Sequence, residues 1–529
     1  MKFTIYHSGK IKTMAEGEPE AEAMMISGER ILAVGSNVEV SSCFAPGPVE
    51  KVDLQGKRVI PGLIDSHLHF LDYVLGKNDV DLAGAPSIKS VVSTLEKAAA
   101  ARPRGSWIRG INFDHSVFRE GRMPTRQDLD VIENPVLITR ICRHAHVANT
   151  KALEAAGLLE RDDLPSGFLR EETGRPSGII LETGLELLIR AMPDPFEDQA
   201  LLSKNLDRCL KEFSGYGITS INPTSAEHIG VRESLGIYQE LERRNRLPLR
   251  VTVHFNELPN LDIRSFFGSP KVRYGGLKLF ADGGFSALTA ALSFDYMNDP
   301  GNRGELNYET EDLYALVEGA HGRGIQVAAH ALGDRAIDQM LDVFERAGKI
   351  HGPAETNNRL IHCYVVRPDQ LPRMRALGLI ADIQPVFLAD EVDIAEARLP
   401  GEFKPYSYAW KTLLDAGIMI SGSSDCCAAL PDPWLGVDGA VNRVRGLERT
   451  PAGGWHPEQK LDIDQAMALF TKNASIAIGA AKEVGSLEPG KLADFVILDD
   501  DPWTVDPEEL RHVRVRQTFC SGECVFTRE

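Results

Sequence analysis

The middle of the chain alternates short apolar runs with stretches of helical spacing, and this alternation restricts the fold more than any other feature. The candidate strands are GITSINP from Gly217, LRVTVHF from Leu249, GLKLFAD from Gly276, IQVAAHA from Ile325, RLIHCY from Arg359, LIADIQP from Leu379 and IMISGSSD from Ile418. VIPGLIDSHLH, nearer the N-terminus, brings the number to eight. Strands that alternate with helices form parallel sheets. Eight such units predict an α/β fold in which the sheet closes into a (β/α)8 TIM barrel.

Both ends of the chain are rich in short β-type segments, which predicts a second, smaller domain. Residues 1–60 contain KFTIYHSGKI, MMISGERILAVG and VEKVDLQGKRVI, and residues 485–529 contain ADFVILDDDP and VRVRQTFCSGECVF. We expect these ends to form one small β-domain beside a barrel domain of residues 61–484. Residues 71–195 follow the first barrel strand and are too many for a structureless loop. We interpret them as a large insertion, a subdomain over the barrel mouth.

The charge and the cysteine content exclude several classes of protein. The chain has 76 Asp and Glu against 58 Lys and Arg, a net charge of −18, so we expect neither nucleic acid nor an anionic membrane as a partner. Eight cysteines in 529 residues, with no Cys-x-x-Cys spacing, favour a reducing compartment. MKFTIYHSGKIKTM lacks the apolar region of a signal peptide. We therefore expect a soluble cytoplasmic protein that acts on a small molecule, with a homodimer as one option.

The segment Asp65-Ser66-His67-Leu68-His69 ends the first apolar run and is the strongest local signal of chemistry. Side chains alternate between the two faces of a strand, so His67 and His69 point the same way. Two imidazoles on one face can converge on one metal ion. The alternative is a pair of polar strand-end histidines with no ligand role.

Polar residues also lie at the ends of other predicted strands. In a parallel barrel the carboxyl ends of the strands share one face, so these side chains should lie near the first two histidines. A single strand histidine is more often a core residue, and a strand-end aspartate is more often a helix N-cap. Their joint occurrence at one end of the barrel nevertheless predicts a metal site. The additional candidates are Lys278, His330, His362 and Asp425.

These motifs, in their order along nearly the whole chain, resemble the amidohydrolase superfamily, and specifically its amidohydrolase 3 branch, which includes N-substituted formamide deformylases. The resemblance rests on PGLIDSHLH, GRMPTRQDLD, PVLI…HAHVANTKAL, GRPSGIILE, GLKLFADGG, QVAAHALGDRAID, IQP, SGSSD and GSLEPGKLADFVILDDDP. It implies a distorted barrel, a β-sandwich from both chain ends and a binuclear metal centre.

The resemblance also implies a role for each candidate ligand. His67 and His69 would bind the more buried ion, His330 and His362 the more exposed ion, and Asp425 would complete the site. Lys278 would bridge both ions as a carbamate formed from the neutral amine and CO₂, which has the charge and geometry of a carboxylate. The alternative for Lys278 is an ion pair with Asp282. The ligand types suit two divalent ions, with zinc expected and manganese, iron or nickel left open.

Two positions depart from the family pattern. Family members often have Glu-His on the sixth strand, whereas this chain has Ile361-His362, so an acidic partner for His362 is missing. Cys426 and Cys427 follow Asp425, where small or apolar residues are more common, and we interpret both thiols as packing residues.

The insertion supplies the candidate substrate-binding residues. His144, in CRHAHVAN, aligns with a Gly-His position of the family and would hold the substrate carbonyl or its oxyanion, although His146 is a nearby competitor for that role. Trp107, Phe113 and Phe118 would wall the pocket, unless they form the core of the insertion itself.

The predicted reaction is hydrolysis of a carbon–nitrogen bond, in an amide, N-acyl or N-formyl group, by a metal-bound hydroxide with Asp425 as the general base. One alternative is an aminoheterocycle deaminase with a single metal ion, and another is a barrel without catalytic activity. Gly485–Lys491 fits most of a phosphate-loop pattern, but Leu492 replaces the hydroxyl residue and a predicted strand follows, so nucleotide binding is not expected.

Overall fold

The computed structural model describes residues 3–140, 145–165, 167–181, 184–193, 196, 198–225, 230–446 and 448–529. The chain divides into two compact units. One consists of Met1–Tyr73 and Asp207–Glu529, and the other of Val74–Leu206.

The first unit contains a parallel sheet whose strands follow one another in chain order. Most residues of these strands are buried, as expected for a parallel sheet that is covered on both faces. Each strand falls on one of the apolar runs of the sequence, so the predicted TIM-barrel fold is confirmed. Within the described residues the barrel strands are β1 (Leu63–Leu68), β2 (Ile218–Pro223), β3 (Arg250–Phe255), β4 (Val272–Phe280), β5 (Gln326–Ala331), β6 (Arg359–His362), β7 (Ile380–Ile383) and β8 (Met419–Gly422).

Hydrogen bonds outside the strand ladder connect β1 to β8. Ser66 Oγ donates to the carbonyl oxygen of Gly422 at 2.8 Å. The amide of Asp425, three residues after β8, donates to the carbonyl oxygen of His67 at 3.0 Å. The first and last strands of the barrel are therefore held together at the end where the candidate ligands lie.

Helices alternate with the barrel strands, and the longest shows why they pack there. Asp334–His351 buries Ile337, Met340, Leu341 and Phe344, which recur at helical spacing and form one apolar face.

No helix in the described ranges is both long and apolar enough to cross a membrane. The α-helices are Asn37–Ser42, Phe70–Gly76, Ile88–Ala100, Arg126–Leu129, Thr150–Ala155, Leu185–Ile189, Gln199–Gly215, Val231–Arg243, Thr310–His321, Asp334–His351, Leu371–Ala376, Leu388–Arg398, Trp410–Asp415, Pro433–Asn442, Ile463–Leu469 and Lys472–Ala477.

The two chain ends form the predicted β-sandwich. One sheet contains Arg30–Gly35, Ala23–Ser27, Phe3–His7 and Val49–Asp53, and the other contains Glu523–Thr527, Val515–Cys520, Phe495–Leu498, Arg58–Pro61, Lys10–Lys12 and Glu20–Ala21. Buried side chains from both sheets share one core, in which the ring of Tyr6 packs edge-on against the rings of Phe495 and Phe519. The strand Arg58–Pro61 leads directly into β1, so the sandwich anchors the first barrel strand.

The second unit, which interrupts the barrel after β1, has a sheet of its own. Its strands, in spatial order, are Phe168–Arg170, Pro176–Leu181, Ala145–Ala148, Val136–Arg140, Ile108–Phe113 and Val80–Asp81. Apolar side chains on this sheet and on the helix Ile88–Ala100 form its core.

Candidate metal centre

Three of the predicted ligands converge where β1 and β8 end. Nε2 of His67 lies 3.3 Å from Oδ1 of Asp425, and Nε2 of His69 lies 3.4 Å from the same oxygen. One donor atom from each residue falls within 4.8 Å of the other two. Two imidazole nitrogens and a carboxylate oxygen at this spacing form a set that one divalent ion can accept as ligands.

The carboxylate of Asp425 provides a test of whether these residues suit an ion. Its Oδ1 is buried and has no hydrogen-bond partner among the described residues, although two imidazole nitrogens face it. Burial alone would raise the pKa of Asp425, but the neighbouring His67 and His69 hold it well below the usual range. A buried, ionised oxygen without a hydrogen bond of good geometry is costly unless a cation satisfies it. The donor set therefore fits a divalent metal.

A second pair of histidines adjoins this cluster. The ring centroids of His330, in β5, and His362, at the end of β6, lie 4.5 Å apart, and the His67 ring lies 6.2 Å from that of His362. The backbone leaves strand geometry at the ligand positions, with φ of 82° at His362 and 50° at Asp425. Such left-handed conformations cost roughly 1–3 kcal/mol for non-glycine residues and concentrate at functional sites.

Burial acts against the charged form of His69, but the carboxylate of Asp425 outweighs it and raises the pKa of that imidazole. The imidazoles of His67 and His362 are neutral, which is the form that binds metal. Burial lowers the pKa of His67 to about 3 and that of His362 to about 4. Nε2 of His330 lies 3.2 Å from the carbonyl oxygen of Gly283, which can only accept, so this nitrogen carries the proton and Nδ1 keeps a lone pair. Nδ1 of His69 lies 3.0 Å from Oγ1 of Thr224.

Lys278 of β4 is a buried lysine of the barrel interior. Its side chain is 1% exposed, and Nζ lies 4.0 Å from the centroid of the Phe280 ring. Burial lowers its pKa to about 7. No ion pair joins Lys278 to a carboxylate in the described part of the chain. Asp282 instead accepts backbone hydrogen bonds from Leu332, Gly333 and Ala291, at 3.0, 2.8 and 2.9 Å.

Sequence reasoning missed a buried ion pair close to the ligands. Arg359 of β6 donates to Asp382 of β7, and both side chains are fully buried. Asp382 also accepts from Ser66 Oγ at 3.0 Å and from Ser423 Oγ at 2.9 Å. The sequence did contain one indication of this pair, because each of two otherwise apolar strands has a charged residue inside it.

The predicted substrate-binding residues belong to the second unit. Phe113 is fully buried in its core and stacks on Phe118, with centroids 6.2 Å apart. Trp107 is half-buried against a second apolar cluster of the same unit. His146 is buried, with Nδ1 3.0 Å from Thr139 Oγ1. His144 lies outside the described residues, and all substrate-binding roles stay predictions.

Comparison with known proteins identifies the family. The family model for the amidohydrolase family matches residues 50–526. N-substituted formamide deformylase of Arthrobacter pascens is 29% identical over 551 residues and covers 98% of each chain. Protein LONG AFTER FAR-RED 3 of Arabidopsis thaliana is 29% identical over 98% of this chain and 91% of its own. A solved structure of an uncharacterized metal-dependent hydrolase from Pyrococcus horikoshii OT3 has a TM-score of 0.79 and 31% identity, covering 96% of this chain and 99% of that chain.

The barrel with its ligand-type residues at the strand ends, together with these similarities, defines a metal-dependent hydrolase. The chain belongs to the amidohydrolase family. The family resemblance of the sequence motifs is thus confirmed, as is the prediction that the protein is an enzyme.

Proposed function

We propose that the protein hydrolyses a carbon–nitrogen bond, in an amide, N-acyl or N-formyl group of a small molecule, at a centre of two divalent ions. The observation that carries this proposal is the buried, unpartnered Oδ1 of Asp425 between the Nε2 atoms of His67 and His69. The similarity to a formamide deformylase supports the choice of bond.

In this proposal His67, His69 and Asp425 hold one ion, and His330 and His362 hold the other. The ions would supply Lewis acidity and a nucleophilic water at neutral pH. Lys278 would bridge them as a carbamate, because a lysine whose pKa is about 7 offers a neutral amine to CO₂ near neutral pH. Zinc is the proposed metal, since it favours imidazole and carboxylate ligands.

Asp425 acts as the general base. Its carboxylate is ionised at neutral pH, so it can accept the proton of the attacking water. It then returns that proton to the leaving nitrogen, which would otherwise depart as an unstable amide anion. His144 is our candidate for holding the carbonyl oxygen of the substrate, because it aligns with a Gly-His position of the family.

The free thiols of Cys43, Cys363, Cys426, Cys520 and Cys524 are compatible with a cytoplasmic location, which stays a prediction.

The test combines a metal count with a substrate screen. We expect two ions per chain by elemental analysis and hydrolysis of at least one class among N-formyl, N-acyl and cyclic amides by the metal-loaded protein. One ion per chain, with ammonia released from aminoheterocycles, would favour the deaminase alternative. A protein that binds no metal on reconstitution would contradict the hydrolase proposal.

A further inference from the structure

The imidazole of His362 has a buried amide partner, Gln384. The residue that precedes His362, Ile361, is fully buried. Gln384, directly after β7, places Oε1 2.7 Å from Nδ1 of His362. Gln384 is 2% exposed and His362 is 5% exposed, so water does not compete freely for this contact.

The other end of the Gln384 side chain fixes the direction of this hydrogen bond. Its Nε2 donates to the carbonyl oxygen of Asp382 at 3.1 Å and to Ser423 Oγ at 2.9 Å. A carbonyl oxygen can only accept, so the nitrogen must lie on this side and the oxygen must face the imidazole. Nδ1 of His362 is therefore the protonated nitrogen, and Nε2 keeps the lone pair that a metal requires.

The partners of Gln384 are themselves fixed. Ser423 Oγ donates to Oδ1 of Asp382 at 2.9 Å, so its lone pair faces the Gln384 amide. Arg359 in turn holds the Asp382 carboxylate. A flip of the amide would place its oxygen against the carbonyl of Asp382 and would cost both donated hydrogen bonds. The charged pair inside the barrel thus determines the orientation of a side chain at the metal centre.

We propose that Gln384 is a positioning residue that locks His362 in the Nδ1–H tautomer and so presents Nε2 to the second, more exposed ion. This inference rests on the proposed two-ion function. Hydrogen-bond partners of metal-bound histidines typically change metal affinity by roughly 10–100-fold.

The test uses the full-length protein, stripped of metal and titrated with Zn²⁺ against a chromophoric chelator. Gln384→Met keeps the length of the side chain and removes both the acceptor and the donors. We expect the affinity for the second ion to fall 10–100-fold and the affinity for the first ion to stay within about twofold of the wild-type value. Gln384→Glu keeps an acceptor that faces Nδ1 and loses the two hydrogen bonds that the amide donates, so it should keep the Nδ1–H tautomer.

A second readout distinguishes positioning from mere stabilisation. In metal-free protein with ¹⁵N-labelled histidine, the His362 signal, assigned by its loss in His362→Gln, should report the Nδ1–H tautomer in the wild type and a mixture in Gln384→Met. Gln370→Met is the matched control. Gln370 is also fully buried, and its Nε2 donates to the carbonyl of Asp334 at 2.6 Å and to Asp338 at 2.8 Å, away from the ligands. It should lower stability without altering metal binding or the tautomer.

The proposal is overturned if Gln384→Met binds the second ion as the wild type does, or keeps its tautomer. Should that variant not fold, Gln384→Glu decides, since a reversed tautomer there contradicts the proposal. A wild-type protein that binds fewer than two ions would contradict the proposed function instead, and the tautomer of the metal-free protein would still test Gln384.

Discussion

The carboxylate of Asp65 accepts two hydrogen bonds from Ser424, at 3.0 Å from the backbone nitrogen and at 2.5 Å from the hydroxyl. Asp65 lies two residues before His67, and Ser424 directly precedes Asp425. This contact therefore ties the strand of the first two histidines to the loop that supplies the third donor. The spacing of the proposed ligands therefore depends on a carboxylate that is not one of them.

Asp65→Ala should destabilise the protein and weaken its first metal ion. The change leaves the Ser424 amide and hydroxyl without this partner in a buried environment, which costs about 1–3 kcal/mol for each unsatisfied group. We expect a lower melting temperature in the metal-free protein and a weaker first ion in chelator competition. Asp432→Ala, which removes a half-buried carboxylate from a helix N-cap, should lower the melting temperature alone. Unchanged metal affinity in Asp65→Ala would remove its positioning role.

Asp425→Asn should abolish turnover while leaving the metal content nearly intact. The amide keeps one oxygen for the ion but cannot accept a proton at neutral pH. Steady-state kinetics on the substrate found in the screen, with elemental analysis of the same sample, check both parts. A variant with normal kcat would show that another group is the base.

Lys278 should make the stability of the metal-free protein depend on pH between about 7 and 10. Its folded pKa is about 7, below the unfolded value of about 10.4, so unfolding takes up a proton in this window and stability rises with pH. The loss of stability caused by burying Lys278 is complete below pH 7 and absent above the unfolded pKa. Compared with Lys278→Met, the wild type should therefore gain stability from pH 7 to pH 9, by at most about 1.4 kcal/mol per pH unit. Parallel melting curves at the two pH values measure this difference.

The same lysine should capture CO₂. Reconstitution with Zn²⁺ and ¹³C-bicarbonate should give a carbamate signal by ¹³C NMR at pH 8, with less at pH 6, because protonation of the amine blocks the reaction. The signal should be missing from Lys278→Met. A spectrum without it in metal-loaded wild-type protein would contradict the bridging role.

Arg359→Met should be among the most destabilising substitutions in the barrel. It leaves the Asp382 carboxylate buried without its cation, and breaking a buried pair in this way costs about 3–5 kcal/mol. Arg359→Met combined with Asp382→Asn should recover part of that loss, because the second change removes the unpaired charge. Denaturant midpoints of the single and double variants test this. Equal midpoints for the wild type and Arg359→Met would contradict it.

Much of the fold could be predicted from the sequence because each barrel strand is a short apolar run flanked by polar turns. The β-rich texture of both ends likewise indicated the sandwich. Convergence of His67, His69 and Asp425 followed from one rule, that the carboxyl ends of parallel strands share a face. That rule places residues at an edge but does not orient their side chains.

The contacts that depend on register between strands could not be predicted. Arg359 and Asp382 are each visible as charges inside apolar runs, but only the pairing of β6 with β7 shows that they neutralise each other. Gln384 lies in the IQP motif that contributes to the family resemblance, but that motif does not indicate which side chains the amide contacts. Its role follows from three partners on β6, on β7 and after β8, which no local pattern connects.

The β-sandwich also sets the order in which the molecule can be completed. Arg58 donates to Asp501 across 443 residues of sequence, and the strand that contains Arg58 pairs with Phe495–Leu498. During synthesis on the ribosome, the strand Arg58–Pro61 therefore has no Phe495–Leu498 strand to pair with until the whole barrel has been made. Contacts of such long sequence separation also form slowly. Because β1 follows that strand directly, we expect the segment that carries His67 and His69 to be fixed in place late in folding. We therefore expect the metal site to be completed late in biosynthesis.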